Sequence, residues 1–160
     1  MPGERVLLDA GVLIGALLTG DPRHAEARSL VEASRRGELD ACTTVGILSE
    51  VYAALTWAQA QPPHTPAEAA QAVSLLVEPP SAIRALEDGL PVALRTLDLA
   101  AKHHLTARRV HDARHAATAL HAGVTSVYTY DPDDWKVFAG DGIQITGPPS
   151  TLSRLESTPA

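Results

Sequence analysis

Short apolar runs alternate with longer helical stretches along this chain, and that alternation narrows its fold more than any other feature. Arg5-Val-Leu-Leu-Asp9, Leu39-Asp-Ala-Cys42, Ser81-Ala-Ile-Arg-Ala-Leu86, Thr125-Ser-Val-Tyr-Thr129 and the weaker Gly142-Ile-Gln-Ile-Thr146 read as five strands. Helical stretches separate them. One opens at Asp21-Pro22, an N-cap with proline in the first helical position, and runs to Arg36 with Gly37 as its stop. One spans 43–61 and is ended by Pro62-Pro63. One is opened by the capping box Thr65-Pro-Ala-Glu68 and runs to Val77. Two more cover 90–104 and 112–122, the second stopped by Gly123. The apolar segment 11–18 leads from the first strand into the turn at Thr19-Gly-Asp-Pro22. Strands that alternate with helices imply a parallel sheet covered on both faces, an α/β fold.

The 160 residues suit one domain with one core, and no repeat or low-complexity tract divides them. Hydrophobic content of 45% against 20% charged residues marks a globular chain. Beyond Pro148 the chain turns polar and reads as a loosely held tail. Cys42 is the lone cysteine, which excludes an internal disulfide and favours a reducing compartment. The first apolar run is broken by Asp9, so it reads as a strand and not as a signal peptide. No apolar stretch reaches the roughly 20 residues that span a bilayer. Together these place the protein in the cytoplasm, away from membranes.

The formal net charge of -6 argues against a protein held on nucleic acid by bulk charge. A local basic patch remains available: Arg84, Arg95, Lys102, Arg108, Arg109 and Arg114 supply six of the 13 basic residues, with five of the seven histidines nearby.

Ligand sites in open parallel sheets lie beyond the carboxyl ends of the strands. Asp9 ends the first strand and Asp131 follows the fourth. Glu50 and Asp112 lie near helix N-terminal ends, which face the same edge. Glu50 is the only charged side chain between Thr43 and Gln61, on a helix apolar nearly all round and therefore expected to be buried. A buried carboxylate finds a cation or neutralises, so a metal ion and a salt-bridging arginine are equal readings of this residue. Asp112 alone reads first as an N-cap, and Asp131 alone as an Asx turn in Asp-Pro-Asp-Asp134. As a set, four carboxylates on one edge would repel strongly, and a hard divalent cation resolves the conflict. Such an ion activates water and stabilises charge on a phosphodiester, so no nucleophilic side chain is needed.

Other chemistries recede. Asp98 lies between Arg95 and Lys102 at helical spacing, an ordinary solvated ion-pair face. His111 and His115 have the spacing of a zinc pair but lack its glutamate and any cysteine cluster. Gly11 stands where an aspartyl phosphatase needs a second acid, and glycine-rich phosphate loops are absent.

The motifs also resemble the PIN-domain ribonucleases, most closely the VapC-type toxins of toxin–antitoxin pairs. Val-Leu-Leu-Asp9-Ala-Gly-Val-Leu-Ile14, Ser49-Glu50, His111-Asp112-Ala-Arg-His-Ala-Ala-Thr-Ala-Leu120 and Tyr128-Thr-Tyr-Asp131 with Asp134-Trp135 occur in the family's order, over roughly residues 5–147. The resemblance implies a PIN-like three-layer sandwich over 1–147, with a sheet of about five parallel strands, and leaves 148–160 as a tail. It implies Asp9, Glu50, Asp112 and Asp131 as catalytic ligands of Mg2+ or Mn2+, and Thr129 as a residue that orients a water or ligand. His24 and the Asp134-Trp135 pair fall at structural positions. Ala10 and Gly11 depart from the hydroxyl or amide residue usual after the first acid. The implied function is a metal-dependent endoribonuclease, the toxin of a VapBC-type pair, with an RNA substrate, a protein antitoxin that packs between helices, and a homodimeric state. A catalytically silent PIN-like scaffold and a DNA structure-specific nuclease are the alternatives.

Overall fold

The computed structural model describes residues 3–157. Val6–Leu8 forms β1, whose three residues are all buried. Ala10–Leu17 forms α1 and His24–Arg35 forms α2. Ala41–Thr44 is β2, followed directly by α3 over Val45–Thr56 and by α4 over Pro66–Val77. Arg84–Leu86 is β3, Leu90–Lys102 is α5, and Val110–His121 is α6. Ser126–Tyr128 is β4, Pro132–Trp135 the single turn α7, Gln144–Gly147 β5, and Pro149–Ser157 α8.

The sheet runs β3-β2-β1-β4-β5, with every pairing parallel. Val6 pairs with Ala41 on one side and Ser126 on the other, so β1 is central. The helices flank this sheet, and the arrangement is the expected α/β sandwich. The core is built from Leu7, Leu8, Val12 and Leu13 around β1, with Ile47, Val51, Leu55, Val127 and Phe138 packed on them. The chain leaves β1 toward β2 and later returns to its other side as β4. The carboxyl edge between β1 and β4 is therefore the switch point at which parallel sheets present their clefts.

Several sequence-based boundaries shift. The Asp21 carboxylate accepts the Arg23 N–H at 2.8 Å inside a tight turn, which delays α2 to His24. β2 begins two residues late, because Thr43 and Thr44 are buried: the Thr43 hydroxyl donates to the Leu8 carbonyl at 3.1 Å, and Thr44 caps α3. α3 ends at Thr56, before the prolines, and is not buried all round: Tyr52, Ala53 and Trp57 are exposed. Gly37 and Gly123 take positive φ at their helix ends, as expected. Lys102 pairs with Asp141 at 2.6 Å, so the expected ion-pair face around Asp98 loses its lysine.

The largest correction concerns the residues after Pro148. They form α8, which is anchored and not loose. The Thr151 hydroxyl, fully buried, donates to the Thr129 carbonyl at 2.7 Å, and Ser150 binds Glu26 at 2.6 Å. Local polarity concealed these tertiary bonds. Residues 158–160 of the expected tail lie outside the described residues.

Candidate active site

Asp9 is placed at the switch point by the end of β1 and held there from three directions. Its Oδ1 accepts the Ala10 N–H at 2.9 Å, which makes it the N-cap of α1. Its Oδ2 accepts the Thr129 hydroxyl at 2.7 Å and the Trp135 indole N–H at 3.0 Å. The carboxylate has almost no conformational freedom left. Thr129, fully buried, has a double duty: its oxygen also accepts the Asp131 N–H at 2.9 Å. One hydroxyl therefore ties the acid of β1 to the loop that carries the acid of β4.

Asp131 begins that loop, and its side chain makes no cap bond to α7. A Cβ on Gly11 would lie 3.6 Å from its Oδ2, so the first turn of α1 lies against this carboxylate. Burial, then the charge of Asp9, raises the Asp131 pKa, against the opposing pull of Arg23 and Arg154.

Asp112 does not cap α6, which starts at Val110; no side-chain cap bond forms there. Instead its carboxyl is lifted to about 6, by burial first, then by Asp134, with Asp9 adding to the rise. Arg109, 3.8 Å away, opposes the rise. Asp134 is raised in turn by burial and by Asp131. Asp9, Asp112, Asp131 and Asp134 thus act electrostatically on one another. Asp134 was read from sequence as structural; its signal was the three-residue spacing from Asp131 across Pro132, which a single helical turn brings to one side.

Glu50 is carried by α3. Its side chain is 41% exposed, and its Oε1 lies 2.7 Å from Nε2 of the buried His115. The His115 Nδ1 faces the Thr44 hydroxyl at 3.3 Å. A carboxylate only accepts, so Nε2 carries the proton toward Glu50, while Nδ1 faces the Thr44 hydroxyl, whose oxygen also accepts the Ile47 N–H. The partner of Glu50 is therefore a histidine, where sequence suggested a cation or an arginine. Both His115 nitrogens are engaged and His111 is exposed, so the two do not form a metal pair. His24 is structural as expected, with Nδ1 2.8 Å from the Gly15 carbonyl. Cys42 is buried and its thiol is pushed up to about 12 by burial, which leaves it inert.

Among the described residues no three Asp, Glu, His or Cys side chains stand ready to hold a metal ion. The chemistry of the donor set nonetheless fits one. Burial and acidic neighbours hinder the ionisation of Asp112, Asp131 and Asp134, and carboxyl oxygens are the donors that magnesium and manganese prefer.

The architecture is similar to that of solved structures. The crystal structure of Mycobacterium tuberculosis VapC20, described as a sarcin-ricin loop cleaving toxin, superposes with a TM-score of 0.68. The match covers 89% of this chain and 99% of that one, at 18% identity, and shows a shared fold. No curated protein sequence matches this chain. Among the described residues no helix is long and apolar enough to cross a membrane. The sequence model of the PIN domain matches residues 6–140, which contain Asp9, Glu50, Asp112, Asp131 and Asp134, and the chain belongs to the PIN domain family.

Proposed function

We propose that the protein is a metal-dependent endoribonuclease and the toxin of a VapBC-type pair. One observation carries this reading: Asp9, Asp112, Asp131 and Asp134 crowd the switch point, with Asp112 held at a pKa of about 6 by burial and by its acidic neighbours. Crowded carboxylates that the fold does not neutralise are the condition that a divalent cation relieves. Asp9, Glu50, Asp112 and Asp131 would hold Mg2+ or Mn2+, with Asp134 beside them. The ion would supply an activated water and would offset charge on the phosphodiester. The chain itself supplies rigidity: Thr129 and Trp135 fix Asp9, and Thr129 orients the Asp131 backbone.

The likeness in fold to a toxin described as cleaving the sarcin-ricin loop supports RNA as substrate, and the cytoplasm is the compartment this reading implies. An antitoxin segment would occupy the groove between α1 and α3, lined by Ile14, Leu18, Ala54 and the exposed Trp57. A second copy would cover Leu90, Leu94 and Leu97, an exposed apolar row on α5.

The test is cleavage of labelled RNA and of DNA of the same sequence with Mg2+, Mn2+ or excess chelator, using wild type and Asp112→Asn. Cleavage of RNA alone, lost with chelator and in the variant, is expected. Undiminished cutting in chelator would refute the mechanism, and cutting of DNA alone would refute the substrate.

A further inference from the structure

The acid cleft is bordered by arginines that the fold holds in place. On the Asp131 side both contacts converge on Tyr130, the residue just before that acid. The Arg23 guanidinium carbon stacks 4.4 Å from the Tyr130 ring centroid, and Arg23 also reaches Asp21 at 3.4 Å. Arg154, on α8, donates from Nη2 to the Tyr130 carbonyl at 3.0 Å. Tyr130 is itself 3% exposed and locked by its hydroxyl bond to Glu26 at 2.8 Å. Tyr130 thus serves as the mount for two exposed arginines, one on its ring and one on its backbone carbonyl. On the opposite side Arg109 lies 3.8 Å from Asp112.

A chain of net charge -6 repels a polyanion at long range, so any grip on a phosphate backbone must come from local cations. Guanidinium groups suit that task, because their planar fork matches phosphate oxygens and a restrained side chain loses little entropy on binding. We propose that Arg23 and Arg154 form a phosphate clamp that seats the RNA backbone on the Asp131 side of the cleft. The terminal helix α8, outside the matched residues 6–140, is thereby part of the substrate site. This inference rests on the ribonuclease reading.

The experiment measures binding of a labelled single-stranded RNA by fluorescence anisotropy across a salt series, on the full chain carrying Asp112→Asn to block cleavage. Arg23→Gln, Arg154→Gln, the double variant and Arg154→Lys are compared. Arg36→Gln is the control, since Arg36 pairs with Glu38 beyond the end of α2. Each glutamine variant should weaken binding several-fold and reduce the slope of log affinity against log salt by about 0.7, the contribution of one phosphate contact on a single strand. The double variant should lose both contributions, Arg154→Lys should restore most of the slope, and Arg36→Gln should change nothing. An unchanged slope in the double variant, while the wild-type chain cleaves RNA, overturns the clamp and leaves the nuclease reading standing. Weaker binding with an unchanged slope also overturns it, because the arginines would then act only through the fold. A wild-type chain that neither binds nor cleaves RNA overturns both.

Discussion

The Nε2 of His115 lies 2.7 Å from Oε1 of Glu50, and this contact ties α6 to α3 beside the acid quartet. His115 is 3% exposed and serves Thr44 through its other nitrogen. His115→Ala leaves a cavity and strips two partners, so it should cost about 2–4 kcal/mol in urea unfolding. Glu50→Gln keeps an acceptor for His115 and should leave stability nearly unchanged. It should raise the Mg2+ concentration needed for half-maximal cleavage roughly tenfold.

Asp9 is as much a structural residue as a chemical one. Asp9→Ala orphans the Trp135 indole N–H, which is buried, and removes the cap of α1. The expected loss is about 2–4 kcal/mol of unfolding free energy, on top of lost cleavage. Asp112, which makes no cap bond, is the cleaner site for a catalytic knock-out; a fully stable Asp9→Ala variant would contradict the geometry described here.

The Asp112 carboxyl titrates at about 6 in the folded chain against 3.8 as its ordinary value. Folding therefore favours its protonated form. This support is complete below about pH 4 and is lost as the pH rises through 6. Without divalent cation, Asp112→Asn should exceed wild type in thermal midpoint by an amount that grows between pH 4 and 6 and then levels off. The plateau corresponds to roughly 2–3 kcal/mol. Added Mg2+ should close the gap at pH 7 by stabilising wild type alone, which differential scanning across pH can check.

Asp134 is the leading charged neighbour that raises Asp112. Asp134→Asn should lower the Asp112 pKa, visible as a shift of that stability difference toward lower pH. It should also slow cleavage at limiting Mg2+ by about 10- to 100-fold, as loss of a group that supports metal ligands does.

Gly147 faces the ring of Tyr128: an added Cβ would lie 2.7 Å from Cε1 and 2.8 Å from Cδ1. The ring cannot yield as a flexible chain end would. Gly147→Ala should destabilise by about 1–3 kcal/mol in denaturant unfolding, without altering the metal requirement of cleavage.

The parts of the molecule legible in sequence are those decided locally. The Thr65–Glu68 capping box forms as read, because both bonds lie within one turn. The glycine stops at Gly37 and Gly123 need only a positive φ. Asp9 and Asp131 could be set on one edge because strand order alone delivers them there. What escaped were residues whose role depends on distant partners. Thr43 and Thr44 read as the first residues of a helix until the Leu8 carbonyl and the start of α3 claim their hydroxyls. The burial expected for Glu50 passes instead to His115, whose polar neighbours come from two other elements. α8 is polar in composition and is held by the backbone of Thr129 and by Glu26.

The strand at the middle of the sheet is the first to be made, yet two of the groups that fix its acid follow 120 and 126 residues later. A polypeptide still emerging from the ribosome cannot set that carboxylate in place until the indole of Trp135 is out. For the ribonuclease proposed above, which would attack the RNA of the cell producing it, late closure would be protective: fragments released early by stalled translation would carry no working blade.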